Sequence, residues 1–323
     1  MKPVGVDRPK PNEVRLRHTR IGANFHDVYV RPGLYKTLQL PGIPGIDAAG
    51  VVTECGPDVT RWKVGDRVAY VTGSYGVYAF ERVIDEKLLL RIPPGVTDEV
   101  TASALLRGLT VEMLLRRVHH VIPGSWILVQ AAAGRVGQLL CQWAWHVGVT
   151  IIETVADDEQ AAVATSAGCH FTINFKREDV VQRVRELTDG RGVAVAVAVG
   201  VAVAVAVAVA VACDGVGRKS FSASLDCLDY CGHLVNFGQA SGGVPPFELS
   251  RLAARSSTVS RPIIFHYVRK ATQREEMAAN VFRGLEEGWL RFRSARTFPL
   301  ANATESHRVI ESMGVTVPLV LVP

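Results

Sequence analysis

The stretch that decides the fold is Trp126-Ile127-Leu128-Val129-Gln130-Ala131-Ala132-Ala133-Gly134-Arg135-Val136-Gly137. Its apolar start predicts a buried strand, and residues 135–147 predict a helix. Between them, Gly134 lets the backbone approach a pyrophosphate, and Gly137 lets the helix pack closely on the sheet. The helix N-terminus adds free N–H groups and a positive dipole. The stretch predicts a dinucleotide-binding turn; a plain strand–turn–helix that binds no ligand is the alternative.

Strands and helices alternate on the C-terminal side of this stretch. The predicted strands are 150–155, 171–173 and 233–237, and the predicted helices are 158–167, 178–188 and 220–230. Such alternation indicates βαβ units and a doubly wound parallel sheet of the Rossmann type.

The N-terminal side has a different character. Residues 1–106 are rich in Gly, Pro and β-branched residues, with turn signals at Gly56-Pro57 and Pro93-Pro94-Gly95, which predicts an antiparallel β domain. Beyond it, residues 101–118 predict a helix. The tail predicts a helix over 274–288, then short strands near Phe292 and at 319–322.

A chain of 323 residues is expected to fold as two domains. We assign residues 1–107 and 269–323 to the β domain and residues 108–268 to the dinucleotide-binding domain. The fold class is therefore α/β with a second, β-rich domain.

The composition excludes several classes of protein. Apolar residues are 48% and charged residues 21%, which excludes a wholly disordered chain. The net charge of +5 comes from scattered Lys and Arg, so it does not indicate binding to nucleic acid or to a membrane surface. Six cysteines do not make a disulfide scaffold and suit a reducing compartment. The first residues lack the apolar core of a secretory signal, so we expect a cytoplasmic protein.

One tract is of low complexity. Residues 193–212 contain ten Val, nine Ala and one Gly. Their length fits a transmembrane helix, but the strict alternation lacks the helical period and no aromatic belt flanks the tract. We interpret the tract as a dipeptide-repeat expansion inserted into one strand of the sheet, and we expect no membrane association.

The cofactor preference depends on residues after the second strand of the dinucleotide domain. An acidic residue there binds the ribose hydroxyls of NAD, whereas a cation accepts the 2′-phosphate of NADP. The segment Glu153-Thr154-Val155-Ala156-Asp157-Asp158 alone favours NAD. Alternatively, Asp157 and Asp158 only cap the next helix.

The whole chain resembles the zeta-crystallin-type quinone oxidoreductases, which belong to the zinc-free medium-chain dehydrogenase/reductase superfamily. The motifs that carry the resemblance are Ile21-Gly22-Ala23-Asn24-Phe25-His26-Asp27-Val28-Tyr29, Arg31-Pro32-Gly33-Leu34-Tyr35, Pro44-Gly45-Ile46-Asp47-Ala48-Ala49-Gly50, Val64-Gly65-Asp66-Arg67-Val68, Leu106-Arg107-Gly108-Leu109-Thr110, the glycine turn, Cys141-Gln142-Trp143-Ala144, Ser224-Leu225-Asp226-Cys227-Leu228 and Ser260-Arg261-Pro262. The resemblance implies a GroES-like β domain, a Rossmann domain, NADPH in the cleft and a homodimer.

The resemblance also implies roles for individual residues. It places Asn24, Asp27, Tyr29 and Tyr35 near the nicotinamide and the substrate, and Asn24, Tyr29 and Tyr35 are our predicted catalytic residues. For His26 we favour a structural role. The predicted cofactor-binding residues are Asn24, Arg107, Thr110, Ala133, Gly134, Arg135, Val136, Gly137, Thr154, Gln160, Phe175, Phe237, Gly238, Gln239 and Arg261.

The chain departs from the family pattern at several positions. Arg107 stands where the family usually has Lys, Gln160 replaces a Lys and Phe175 replaces a Tyr, so NADH stays an alternative to NADPH. Zinc-dependent relatives have a Cys near the position of Asn24 and a His-Glu pair at Ile46-Asp47, so we expect no metal. Cys227 and Cys231 are predicted to share a helix face without completing a zinc site. The chain also begins later than the strand hairpin that opens family members, so the β domain is expected to lose an edge.

The predicted function is NAD(P)H-dependent reduction of quinones without zinc. A quinone accepts electrons readily, so the protein needs mainly to orient it and to donate hydrogen bonds to its oxygens. The alternatives are an alkenal or enone reductase, and a non-catalytic homologue that binds a dinucleotide or RNA. Nothing in the residues themselves supports RNA binding.

Overall fold

The computed structural model describes residues 5–131, 133–188, 209–292, 294–312 and 316–323. The chain forms two compact units. We call Met1–Leu109 with Phe265–Pro323 the β unit and Thr110–Ile264 the α/β unit. The domain boundaries expected from the sequence, after residues 107 and 268, stay a proposal beside these bounds.

The strands in chain order are β1 Glu13–Ala23, β2 Asp47–Cys55, β3 Arg67–Val71, β4 Glu81–Asp85, β5 Leu90–Arg91, β6 Trp126–Gln130, β7 Thr150–Val155, β8 Phe171–Asn174, β9 Val209–Asp214, β10 His233–Asn236, β11 Thr258–Ser260, β12 Arg296–Pro299 and β13 Leu319–Val322. The α-helices are α1 Phe25–Val30, α2 Asp98–Glu112, α3 Arg135–His146, α4 Asp158–Ser166, α5 Val180–Leu187, α6 Phe221–Asp226, α7 Ile264–Tyr267, α8 Ala271–Glu286 and α9 Ala303–Glu311. Within the described residues there are also three short 3-10 helices (Glu86–Leu88, Leu249–Ala254 and Leu300–Asn302) and one π-helical segment (Met113–Val118).

The β unit is built on a seven-stranded sheet in the order β12-β13-β1-β2-β3-β5, with β4 also paired to β1. Inward-facing residues such as Val14, Leu16 and Ile21 of β1 are fully buried in its core. Alternate burial along one strand is the pattern of a sheet with one face on a core. The end of β1 leads directly into Asn24 and α1, so the sheet fixes where α1 begins.

The α/β unit is built on a six-stranded sheet in the order β11-β10-β9-β6-β7-β8, and all of its strands are parallel. This is the doubly wound order, in which the first strand, β6, lies in the middle beside β9. The connections leave β6 and β9 in opposite directions across the sheet. Ligands of such folds bind outside the carboxyl ends of the strands at this point.

Hydrogen-bonded caps define two helix starts of this unit. Asp157 accepts from the backbone N–H of Gln160 at the start of α4, at 2.9 Å. Asp179 accepts from the N–H of Gln182 at the start of α5, at 2.9 Å. A carboxylate at the N-cap also favours the helix dipole, so these two starts follow from local sequence.

The Val/Ala tract is described only at its end. Residues 193–208 lie outside the described residues, whereas 209–212 belong to β9. That strand pairs with β6 on one side and β10 on the other. The end of the tract therefore lies in the centre of the parallel sheet.

Several local predictions were wrong. The strand expected near Phe292 begins at Arg296, and it pairs parallel to β13. The strands within residues 1–106 pair antiparallel with one another, as predicted. Helix α6 ends at Asp226 instead of 230. Cys227 and Cys231 therefore do not share a helix face, and Cys231 has a positive φ of 60°. Among the helices of the described ranges, none combines the length and apolar character that a membrane crossing requires.

Candidate functional site

The turn between β6 and α3 directs backbone N–H groups to the carboxyl edge of the parallel sheet. Gly134 is the N-cap of α3, with φ −70° and ψ 166°, and no side chain of the described residues caps this helix. A Cβ at Gly134 would lie 2.9 Å from the backbone oxygen of Ala131, which favours glycine here. Helix α3 has 12 residues, so its first N–H groups and its dipole can bind a phosphate. This turn fits the pyrophosphate of a dinucleotide.

The acidic segment after β7 is used for internal contacts. Glu153 is fully buried, and its Oε1 accepts the backbone N–H of Ala133 at 2.7 Å. Asp157 caps α4, and Asp158 pairs with Arg177 at 3.3 Å. Of the two roles considered for Asp157, ribose binding and helix capping, the structure therefore shows helix capping. The segment no longer argues for NAD over NADP.

The other predicted cofactor residues of this unit follow strand ends or begin helices. The Thr154 hydroxyl donates to Gln130 Oε1 at 2.6 Å inside the sheet, and Gln160 Oε1 accepts the N–H of Ala156 at 3.0 Å. Gly238 follows β10 and has no room for a Cβ, which would lie 2.5 Å from the backbone oxygen of Gly215. Three further sites follow the ends of strands: Phe175 follows β8, Phe237–Gln239 follow β10 and Arg261 follows β11. At α3, Ala133 and Gly134 precede the helix and Arg135–Gly137 form its first turn. Thr110 lies in α2. The structure therefore gathers most of them along one edge of the sheet.

In the β unit, a buried polar cluster surrounds the start of α1. We call Asn24, Asp27, Asp47 and Arg107 the acidic cluster. Asn24 bridges the two carboxyls, because its backbone N–H donates to Asp27 Oδ2 at 3.0 Å and its Nδ2 donates to Asp47 Oδ1 at 2.6 Å. The Arg107 guanidinium donates to the backbone oxygens of Ser103 and Ala23. All four side chains are buried, so their charges interact in a medium of low polarity.

This burial shifts the titration of both carboxyls. Burial, followed by the charge of Asp47, raises the pKa of Asp27 to about 7. Burial raises the pKa of Asp47 to about 6, against the opposing effect of the Arg107 charge. Asp27 Oδ1 and Asp47 Oδ2 have no hydrogen-bond partner among the described residues. The pair therefore holds a proton close to neutral pH, which suits proton transfer.

A chain of hydrogen bonds leads from Asp27 to the surface of the β unit. Tyr78 Oη lies 3.2 Å from Asp27 Oδ2 and 3.0 Å from His307 Nε2, and His307 Nδ1 lies 3.4 Å from Arg31 Nη1. Arginine can only donate, so Nδ1 accepts and the neutral ring carries its hydrogen on Nε2. His307 then donates to Tyr78, and Tyr78 donates to Asp27. Burial, with the nearby Arg31 charge, lowers the pKa of His307 to about 4, so the ring is neutral at pH 7.

The two predicted catalytic tyrosines belong to an aromatic group beside this cluster. The rings of Tyr29 and Tyr35 meet edge to face with centroids 5.1 Å apart. His26 packs against Tyr35, Tyr75 and Phe265, and its Nε2 lies 3.0 Å from Tyr75 Oη. Burial lowers the pKa of His26 to about 4, so its ring is neutral and packs as an aromatic group. The group offers flat apolar surfaces together with phenol hydroxyls.

The sequence and structure of this chain match known proteins over nearly its full length. Residues 10–94 match the alcohol dehydrogenase GroES-like domain, and residues 136–281 match the domain described as zinc-binding dehydrogenase. A quinone oxidoreductase of Pseudomonas aeruginosa is 39% identical over 98% of this chain and 92% of its own length. A 2-haloacrylate reductase of a Burkholderia species is 36% identical over 99% of this chain and 93% of its own.

The fold comparison agrees. The crystal structure of the Escherichia coli quinone oxidoreductase complexed with NADPH has a TM-score of 0.92 and 33% identity, covering 100% of this chain and 95% of that one. This chain belongs to the quinone oxidoreductase family. The predicted family and the predicted pairing of a GroES-like domain with a Rossmann domain are confirmed.

The sequence did not predict that Asp47 and Arg107 of this quinone oxidoreductase homologue belong to one buried acidic cluster. Asp47 was noted only as a replacement for a zinc ligand, and Arg107 only as a cofactor contact. A signal existed for both: each is a single charged residue inside an apolar stretch, Asp47 before Ala48-Ala49 and Arg107 after Leu105-Leu106. Buried charges are almost always paired, so each implied a partner of opposite sign. Local sequence cannot say which partner, because Asp47 and Arg107, whose charges act on each other, lie far apart in the chain.

Replacing Asp27 with asparagine is expected to remove a pH dependence of stability. The folded pKa of Asp27 is raised to about 7, so the folded state binds more protons than the unfolded state. The stability that Asp27 contributes is fully present below the ordinary carboxyl pKa near 4, and it is lost as the pH rises through about 7. Wild type should therefore lose stability relative to Asp27→Asn across that interval, as measured by urea unfolding.

The groups facing Asp27 are Asp47, Arg107, Tyr75, Tyr78 and His307. Wild type and Asp27→Asn both contain these groups. The difference in unfolding free energy between the two proteins, compared between two pH values, therefore removes the contributions that they share. The matched control is Asp58→Asn, which makes the same chemical change at an exposed carboxyl in a turn and is compared with wild type in the same way. Parallel pH profiles for wild type and Asp27→Asn would contradict the raised pKa.

Proposed function

We propose that this chain is an NADPH-dependent quinone oxidoreductase that works without a catalytic zinc. The observation that carries the proposal is the glycine turn at the N-terminus of α3, at the carboxyl edge of a doubly wound sheet, in a chain similar to quinone oxidoreductases throughout its length. The homologous E. coli structure is described as an NADPH complex. When bound, NADPH supplies the electrons for the reduction.

We propose that the backbone at Ala133 to Gly137 binds the pyrophosphate, with Thr110, Thr154, Gln160, Phe175, Phe237–Gln239 and Arg261 completing the cofactor site on this unit. Asn24 and Arg107, which belong to the β unit, stay predicted cofactor-binding residues on the strength of the family resemblance. Arg177 pairs with Asp158 in the first turn of α4, so a guanidinium lies near the start of the helix that carries Gln160. The choice of NADPH over NADH rests on the similarity to a quinone oxidoreductase structure that is described as an NADPH complex.

The proposed chemistry of this chain's own residues is orientation and proton supply. Tyr29 and Tyr35 donate hydrogen bonds to the oxygen of the acceptor on which negative charge develops. Asn24 is held in one orientation by its bonds to the two carboxyls. Reduction of a carbonyl oxygen also consumes a proton. We propose that Asp27 holds it, with Tyr78 and His307 as positioning residues.

The test is oxidation of NADPH by p-benzoquinone, followed by loss of the reduced-nicotinamide absorbance, with NADH in parallel. Turnover with NADPH at the lower KM is the expected result. In the same assay Tyr35→Phe should lower kcat by about tenfold or more, because it loses one donor to the developing oxyanion. The matched control is Tyr230→Phe, which removes a phenol hydroxyl from a side chain that is 67% exposed on the α/β unit.

Equal kcat for Tyr35→Phe and wild type would remove Tyr35 from the mechanism. Cofactor binding without turnover of any acceptor would instead favour the non-catalytic dinucleotide- or RNA-binding alternative.

Reduction of an electron-poor carbon–carbon double bond is a second candidate function. The similarity to a 2-haloacrylate reductase favours it, and alkenals and enones are related acceptors. The same assay with 2-chloroacrylate in place of the quinone separates the two. A kcat/KM higher for 2-chloroacrylate than for p-benzoquinone would make the double bond the preferred acceptor.

As part of the proposed function, we place the protein in the cytoplasm as a homodimer.

A further inference from the structure

Two cysteines and a glutamate meet beneath the glycine turn of the α/β unit. Cys141 comes from α3, Glu153 from β7, and Cys169 from the segment between α4 and β8. The two Sγ atoms are 3.1 Å apart, and Cys169 Sγ is 3.1 Å from Glu153 Oε2. Sulfur and oxygen ligand atoms of all three residues lie within 4.8 Å of one another. Cys141 and Glu153 are fully buried and Cys169 is 7% exposed.

We propose that Cys141, Glu153 and Cys169 form a binding site for a thiophilic divalent cation of the Zn²⁺ class. Thiolate sulfur and carboxylate oxygen are both established zinc ligands. The ligands come from a helix, a strand and a connecting segment, so a cation would tie three elements of the unit together. This site is separate from the zinc positions of dehydrogenases, which involve Asn24 and Ile46-Asp47 in this chain.

The geometry requires only a small adjustment. Two thiolates bound at about 2.3 Å to a tetrahedral zinc lie about 3.8 Å apart. The observed Sγ–Sγ distance of 3.1 Å, a thiol hydrogen bond, must lengthen by about 0.7 Å to reach that separation. The three residues supply three of the four usual ligands. A water molecule or another small ligand completes the coordination.

Charge and protons balance on binding. With Glu153 ionised and both thiols protonated, the group carries one negative charge. Binding of the cation displaces the two thiol protons to solvent, forms two metal–sulfur bonds and one metal–oxygen bond, and leaves the same net charge. No additional buried charge is created, so binding does not carry the desolvation cost of an unpaired ion.

The site also contacts the proposed phosphate turn. Glu153 Oε2 faces Cys169, while its Oε1 accepts the N–H of Ala133 at 2.7 Å. A cation bound on the Oε2 side would fix this carboxylate and, through it, the backbone that precedes Gly134. The inference itself does not rest on the proposed enzyme activity, because metal binding is measured without NADPH or a quinone.

The test uses the full chain, reduced, freed of metal with a chelator and titrated with Co²⁺ as the spectroscopic probe for Zn²⁺. One equivalent of Co²⁺ should produce a thiolate-to-cobalt charge-transfer band, and Zn²⁺ should abolish that band by displacement. Zn²⁺ should also raise the Tm, because a ligand that binds only the native state stabilises it. Cys169→Ala and Cys141→Ala should lose the band, with binding weaker by about a hundredfold or more.

The matched control is Cys227→Ala, which removes another buried thiol of the same unit that lies outside the cluster. It should keep the band and the Zn²⁺-dependent rise in Tm. Glu153→Gln keeps the side-chain shape and both thiols, and should weaken binding while preserving the band. Absence of the band in the reduced wild type, or a band of equal intensity in Cys169→Ala, would overturn the proposal. A Cys141–Cys169 disulfide in the isolated protein that yields no cobalt site after reduction would overturn it equally.

Discussion

Arg107→Met is expected to destabilise the protein by about 3–5 kcal/mol near pH 8, because it leaves buried carboxylates without their compensating cation. Arg107 is buried beside Asp47 and Asp27, and both carboxyls favour its charged form. Its guanidinium also satisfies the backbone oxygens of Ser103 and Ala23, which methionine cannot do. The measurement is urea unfolding of the variant and of wild type.

The sign of the pH dependence distinguishes this explanation from a simple loss of packing. The pKa values of Asp47 and Asp27 are about 6 and about 7, and loss of the nearby cation raises them further. Near pH 5 both carboxyls are then largely protonated, and the destabilisation by Arg107→Met should be much smaller than near pH 8. Arg107→Lys, which keeps the charge, should recover most of the stability at both pH values. Equal destabilisation at the two pH values would show that packing, and not charge, dominates.

Gly134→Asp is expected to weaken NADPH binding by about three orders of magnitude. A carboxylate about 4 Å from a phosphate charge costs about 4 kcal/mol at the effective dielectric of a protein surface. The added Cβ would in addition approach the backbone oxygen of Ala131 at 2.9 Å. The helix itself should tolerate the change, since aspartate is a favourable N-cap residue. The Kd for NADPH, measured by titration calorimetry, reports the effect directly.

The control for Gly134→Asp introduces the same carboxylate at a glycine that has no close neighbours. Gly95 has no heavy atom within 4 Å of an added Cβ, so Gly95→Asp tests the chemical change without the turn. It should bind NADPH with wild-type affinity. Circular dichroism and Tm of Gly134→Asp establish that the variant is folded before its affinity is interpreted. Unchanged NADPH affinity in a folded Gly134→Asp would show that the cofactor does not bind at this turn.

These two variants probe different parts of the chain. Arg107 acts through long-range charge inside the β unit, whereas Gly134 acts through a local turn of the α/β unit. Stability and its pH dependence, measured without cofactor, report the effect of Arg107, and the cofactor affinity of a folded Gly134 variant reports the effect of the turn. Their effects are therefore separable without an assumption about turnover.

The Rossmann sheet was predictable from sequence because its signals are local. An apolar strand, a glycine turn and a helix follow one another within the span of residues 126 to 146, and carboxylates at Asp157 and Asp179 mark the next helix starts. Errors arose where such signals were weak. Helix α6 ends at Asp226, where the chain turns. Cys231 has a positive φ, a conformation that glycine usually adopts, so its residue type did not indicate a turn there. Strand β12 is short, and its pairing with β13 fixes its position better than its own residues do.

The sequence by itself determined the fold class, the family and the position of the glycine turn between β6 and α3. These depend on residues that act within one strand, one turn or one helix, where chemical character and spacing are sufficient. Only the tertiary structure decided which distant groups share a buried environment. Asp27, Asp47 and Arg107 become an electrostatic unit, and Cys141, Glu153 and Cys169 become one cluster, because the sheets bring together residues that are far apart in the chain. A shifted pKa or a ligand set depends on distance and burial, and both are properties of the folded packing.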